Sequence, residues 1–300
     1  MRHSRLAVPV LAALALLATA WPALASESRI EKNLDLQPNG RFTLDSDAGG
    51  VSITGSSRSG ARLVITSDRN DLERDFDFSF DGNGSEARVT ARRKHDFGWS
   101  HGVSIHFEVE VPSKTGTQIR TGGGGVKLSG LGGESNLKTS GGPIEVTGLN
   151  GNLQAHTSGG PIQIREVTGD VHIDTSGGPI EAEAIEGNLH AHTSGGGIRI
   201  ERVTGYVEAK TSGGPIHAAY SRGNRHGGEL ETSGGSIDVE LDKSANLDLD
   251  ASTSGGTVSS DLPVRVVGTI SRSSMHGSIG SGGESLRLRT SGGSIHIRAL

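Results

Sequence analysis

From residue 121 onward the chain is governed by one short repeat. Thr-Ser-Gly-Gly begins at Thr139, Thr157, Thr175, Thr193, Thr211, Thr232, Thr253 and Thr290, and a variant, TGGGG, begins at Thr121. Counted from Thr121, five intervals are 18 residues, two are 21 and the last is 37. A fixed period of this length is the mark of stacked supersecondary units. The 37-residue interval is close to two units, which places Ser278-Ile279 of SMHGSIG at the first strand of an intermediate coil.

Aligned on the threonine, the 18-residue units give clear columns. Position 6 holds Val126, Ile144, Ile162, Ile180, Ile198 and Ile216; position 8 holds Leu128, Val146, Ile164, Ala182, Ile200 and Ala218. Alternation with period two predicts a strand. Position 11 is again aliphatic (Leu131, Leu149, Val167, Ile185, Val203), and a glycine recurs at position 13, marking a turn. Positions 15 and 17 (Leu153 and Ala155, Val171 and Ile173, Leu189 and Ala191) alternate with polar residues and predict a second strand leading into the next threonine.

A coil of this size cannot fold alone. About five mostly small inward side chains stabilise it by about 1.5–3 kcal/mol for each large aliphatic, whereas ordering the backbone costs about 1–2 kcal/mol per residue. Stacking is therefore obligatory, with neighbouring coils about 4.8 Å apart. The expected fold is all-β, a β-solenoid of two-strand coils. The 47 glycines in 300 residues, roughly twice the usual share, are then corner residues of a repeat rather than a sign of disorder. Pro143, Pro161, Pro179 and Pro215 fix φ at the strand entries. No Lys-Ser/Thr and helix follow the glycines, as a phosphate loop requires, and no Asp column separates them, as a calcium-binding roll requires.

Residues 26–118 read as a β-rich N-terminal section that caps the first coil, and residues 119–300 as the solenoid. Runs such as FTLDS, GGVSITG, ARLVITSD, DFDFSF and VSIHFEVEVP carry strand signals. Phe76, Phe78, Phe80, Phe97, Phe107 and Trp99 crowd into this section, so it packs differently from the repeats. GGVSITG, at Gly49 to Gly55, looks like a degenerate repeat and a start of the solenoid itself. At the other end the sequence closes inside a strand, Ser294 to Leu300, which predicts an open edge able to pair with another chain.

Arg2, His3 and Arg5 precede an apolar run from Leu6 to Ala20, and Pro22 is followed by Ala23-Leu24-Ala25. This is the pattern of a signal peptide over residues 1–25, with the mature chain starting at Ser26, exported and soluble in the periplasm or at the cell surface. The absence of Cys excludes disulfides, a lipidated cysteine and thiolate metal sites. A net charge of −5 disfavours nucleic acid and anionic lipid as partners.

The run from VSIHFEVEVP into successive TSGG-P-I coils resembles a widespread family of exported bacterial proteins called "putative adhesins", long classed as a domain of unknown function. The resemblance covers about residues 30–300. It implies a β-solenoid at the cell surface or envelope, and it brings no catalytic residues and no cofactor.

Three groups of residues are candidates for chemistry. On the outer side of the second strand, His156, His172, Asp174, His190 and His192 form a grid that could clamp zinc, copper or nickel, or simply a solvated face. On the first strand, Glu181, Glu183 and Glu201 lie beside Arg165 and Arg199, a set that a polysaccharide-acting β-helix enzyme could use, or simply a charge-laced surface. The longer connection after His217 carries Tyr220, Arg222, Arg225 and His226, a set able to stack on and hydrogen-bond a glycan. Short turns leave no walls for a water-excluding cleft, so the expected role is non-enzymatic, an adhesin-like module meeting an envelope or surface glycan or protein. The alternatives are a periplasmic scaffold self-associating through its C-terminal edge, and a polysaccharide-acting enzyme.

Overall fold

The computed structural model describes residues 28–68, 72–94, 104–266 and 271–300. The expected leader at 1–25, and Phe97 and Trp99 of the expected cap, lie outside them. Among the described residues two open sheets, of 13 and 14 strands, run the length of the molecule, and the one helix is the single turn Leu72–Asp75. Each regular coil contributes one strand to each sheet, as the columns require. Ile144–Asn150, Ile162–Thr168, Ile180–Glu186 and Ile198–Val203 pair in parallel and in exact 18-residue register in the first sheet. Leu153–Thr157, Val171–Thr175 and Leu189–Thr193 do so in the second. Every residue of positions 6, 8, 11, 15 and 17 named above is buried in one continuous aliphatic core.

The step from position 8 to position 11 breaks the period of two, and the backbone supplies the reason. Position 10 is left-handed: φ is 66° and 67° at Gly130 and Gly148, and 57°, 55° and 57° at Glu166, Ala184 and Arg202. The left-handed residue bends the strand so that position 11 faces the core again.

The repeat's Thr-Ser-Gly-Gly also has a bonding reason. The threonine is buried, and its Oγ1 donates to the carbonyl of the second corner glycine in the neighbouring coil: Thr139 to Gly124 at 2.7 Å, Thr157 to Gly142 at 3.0 Å, Thr175 to Gly160 at 2.9 Å. The same oxygen accepts from the amide three residues on, as Gly178 N donates to Thr175 Oγ1 at 3.3 Å. One hydroxyl thus satisfies two buried backbone groups that the corner would otherwise leave unpaired.

Both ends of the stack are interleaved. The coil made by Leu36–Ser46 and Gly50–Ser56 does not stand first. Its strands lie between Gly84–Arg93 and Gly116–Thr121 in one sheet, and between Ile105–Pro112 and Val126–Leu131 in the other. GGVSITG is therefore part of a true coil, and the sheets continue unbroken across residue 118. Phe76 and Phe78, and Phe78 and Phe80, stack at 5.9 and 6.0 Å on the strand Phe76–Gly82, the last of its sheet at this end.

The far end corrects two expectations. Glu284–Thr290 inserts between Gly228–Thr232 and Leu247–Thr253, and Ile295–Ala299 between Ile237–Leu241 and Val258–Ser260. The threonine ladder follows the same detour, from Thr290 to Gly235 and from Thr253 to Gly293, each at 2.7 Å. The C-terminal strand is thus paired on both sides and offers no open edge. SMHGSIG does not form the first strand of an intermediate coil either. Ser274–Ile279 lies in the second sheet, antiparallel to Leu247–Thr253 and to Val264–Val266, closing that sheet with a short hairpin. Short antiparallel terminal strands are a known means of blunting an edge.

Candidate interaction faces

The outer face of the second sheet carries the histidine grid in the expected columns: His156, Asp174 and His192 are register partners in one, His172 and His190 in the next. The five do not converge on a metal centre. His172 Nε2 lies 3.1 Å from Asp174 Oδ2, His190 Nδ1 lies 2.9 Å from Glu208 Oε2, and the His172 and His190 rings are 5.8 Å apart. Among the described residues no three His, Asp or Glu side chains are grouped to hold a metal ion. In-register columns keep each imidazole a coil spacing from the next, and a carboxylate takes up two of them. Lys210, and then His190, hold the Glu208 carboxyl below its ordinary value.

On the first sheet, Glu183 meets Arg202 at 2.5 Å and Arg165 at 3.6 Å, and Arg199 meets Glu201 at 2.9 Å. Arg202 first, then Arg165, depress the Glu183 carboxyl. A general acid needs the opposite shift. The hollow over Glu181, Glu183 and Glu201 is only about 150 Å³, and a second one, of about 320 Å³, runs along Glu166, Ala184 and Arg202. These left-handed non-glycine residues escape sequence reading because nothing in their identity demands the conformation; Gly130 and Gly148 higher in the column are the signal that would have found them.

The loop group divides. Arg222, Arg225 and His226 are exposed, and Asn224 anchors the loop by donating to the carbonyls of Val203 and Gly205 at 2.9 and 3.0 Å. Tyr220 does not join them. Ile216, Ala218 and Tyr220 continue the inward alternation of Ile216–Tyr220, so the ring is only 3% exposed and cannot stack on a glycan. Its hydroxyl packs against Gly228 without a hydrogen-bond partner, and burial pushes its pKa far up. Tyr220→Phe therefore loses no bond and removes a buried unsatisfied group. Its urea midpoint is expected to equal or exceed that of the unaltered protein, by up to about 1 kcal/mol; a loss of that size would reveal a partner for the hydroxyl.

The histidine columns also continue toward the N-terminus in a way the TSGG alignment overlooks, because Gln118 and Arg120 precede the first repeat threonine. Gln118, Asn136 and Gln154 are register partners, as are Arg120, Lys138 and His156. Reading the same columns one coil earlier would have found them.

Among the described residues no helix is long and apolar enough to cross a membrane. No curated protein matches the sequence. Solved structures with a similar course include a "putative adhesin" from Bacteroides fragilis (12% identity, TM-score 0.48, covering 92% of this chain and 99% of that one). Another is a "putative lipid binding protein" from Parabacteroides distasonis (12% identity, TM-score 0.44, covering 91% and 96%). A "putative adhesin" from the same organism aligns at 10% identity and a TM-score of 0.36, covering 92% and 98%. The family model described as Toastrack DUF4097 matches residues 43–298, nearly the whole solenoid. With its parallel sheets, in-register aliphatic columns and threonine-ladder corners, the chain belongs to the Toastrack DUF4097 family.

Proposed function

We propose that this chain is an exported, non-enzymatic binding protein that presents rigid, flat faces to a partner at the cell envelope or surface. The observation that carries the reading is the pair of unbroken outer faces. Side chains stand on them in straight columns at the coil spacing, and the hollow over Glu181, Glu183 and Glu201, about 150 Å³, is lined by paired charges. Such a surface suits contact with an extended partner, whereas bond-making chemistry requires walls that exclude water. Arg222, Arg225 and His226, held out by the Asn224-anchored loop, add a second contact beyond the C-terminal end of the strand Ile216–Tyr220.

The test is protease shaving of intact cells with a periplasmic protein as internal control, followed by detection of peptides from residues 26–300. Peptides released while the control stays intact are the expected result. Protection of the chain until the envelope is permeabilised would overturn the surface reading.

A further inference from the structure

The outer face of the second sheet changes character along its length. From Val171–Thr175 onward the basic side chains of this face meet carboxylates within their own strand or on the next: His172 meets Asp174, His190 and Lys210 meet Glu208, and Arg287 and Arg289 meet Asp250, with His192 left over. The first sheet follows the same rule, with Lys127 on Glu145, Arg165 and Arg202 on Glu183, Arg199 on Glu201 and Arg298 on Asp238. Three consecutive coils of the second sheet break it. Their six outward side chains are Gln118 and Arg120, Asn136 and Lys138, Gln154 and His156, and none is acidic. Arg120, Lys138 and Asn136 are exposed, and among the described residues no carboxylate lies within 4 Å of Arg120, Lys138 or His156. The acids that bound the strip are already engaged. Asp45, the register partner of Arg120, receives both terminal nitrogens of Arg92 at 3.1 and 2.6 Å, and Asp174, beyond His156, faces His172. In a chain of net charge −5, a cationic row without counter-ions is a local exception.

From this arrangement we infer that Gln118, Arg120, Asn136, Lys138, Gln154 and His156 form a binding strip for a linear acidic polysaccharide lying along the stacking axis. The inference rests on the binding-protein reading above and gives it a face and a ligand class. The coils repeat at about 4.8 Å, close to the rise of one sugar in an extended pyranose chain, so one basic side chain and one amide meet each successive residue. Carboxylate or sulfate groups answer Arg120, Lys138 and His156. Hydroxyls answer the amide row, whose members Asn136 and Gln154 are already aligned by a hydrogen bond of 3.1 Å. The other anionic polymers fit less well. Single-stranded nucleic acid is held on aromatic platforms, and the strip has none. Polybasic membrane binding draws on clusters of about four to eight Lys and Arg, where this row has two. Protein hot spots are Trp, Tyr or Arg seated in desolvated pockets, whereas the strip has no Trp or Tyr and its one Arg, Arg120, is exposed.

The experiment uses the chain from residue 26 onward on sensors coated with polygalacturonate or, as a neutral polymer, with dextran. Binding to polygalacturonate and not to dextran is expected, and it should fade as ionic strength rises from about 0.01 M to about 1 M. Arg120→Gln with Lys138→Gln should weaken it at least about fivefold, while Lys127→Gln, a charge lost on the other sheet, should not. Circular dichroism melts confirm that the variants fold, which these exposed positions permit. Equal affinity for the two polymers, no binding to polygalacturonate, or a double variant as tight as the unaltered chain each overturn the strip. Those failures leave the binding-protein reading standing if shaving still releases the chain, whereas protection from shaving sinks that reading whatever the sensors report.

Discussion

A chain ended after Gly283 is expected not to fold. In an ordinary solenoid the last coil covers one neighbour, and its removal frays the end. Here residues 284–299 separate two coils, so the truncation leaves Gly228–Thr232 and Ile237–Leu241 without partners on one side, and Leu247–Thr253 and Val258–Ser260 likewise on the other. It also removes Leu286, Leu288, Ile295 and Ile297, each at most 1% exposed. At about 1.5–3 kcal/mol per buried aliphatic the loss is about 6–12 kcal/mol, as large as the whole stability of a typical domain. Far-ultraviolet circular dichroism and thermal melting read the outcome. A truncated chain with a β-sheet spectrum that melts within a few degrees of the full protein would show that these strands are not interleaved.

The second large effect lies within one dipeptide. A methyl placed on Gly160 runs into the carbonyl of Gly142 in the coil beneath, which is backbone and cannot step aside. The same methyl on Gly159 finds its nearest neighbour, the Gly141 carbonyl, at 3.8 Å, an ordinary contact. Gly160→Ala is expected to cost about 3 kcal/mol, a fall in Tm of roughly 6–12 °C for a chain of this size. Gly159→Ala should be neutral or slightly stabilising, because alanine lowers the entropy of the unfolded chain. Parallel melts of the two variants decide the matter, and equal effects would mean that the second corner glycine is not where the coils touch.

That contrast also marks what was legible in the sequence. The aliphatic columns, the two strands per coil and the turn glycines could be read directly, because stacking in register turns three-dimensional neighbours into residues 18 apart. The corner's internal chemistry could not. TSGG announces a turn, but nothing in the letters says that the threonine is buried to bond the next coil, or which glycine is crowded. Tyr220 was within reach, since it extends the alternation of Ile216 and Ala218 by one more step; its nearness to Arg222 and Arg225 made it look like part of the loop. The ends were out of reach for a physical reason. Periodicity reports that a strand exists and which face is apolar, while the choice between stacking on the previous coil and slipping beneath it depends on long-range pairing. Ile279 is buried in the antiparallel strand Ser274–Ile279 just as it would be in a parallel coil. The register of the exposed columns follows from the same 18-residue spacing, whereas their pairing does not, because whether an imidazole meets a carboxylate depends on rotamers that the spacing leaves free.

The interleaving sets an order of events. Residues 247–260 leave the ribosome before residues 284–299, yet their permanent neighbour is that later segment. Stacking that proceeds coil by coil from the N-terminal side must therefore pause after Ile237–Leu241, or pass through a stage in which residues 247–260 rest against a surface they later give up. Until the intervening segment arrives, two rows of backbone amides and carbonyls stand uncommitted, so the chain has no way to seal itself early. The step that locks the architecture therefore waits until residues 284–299 have been delivered.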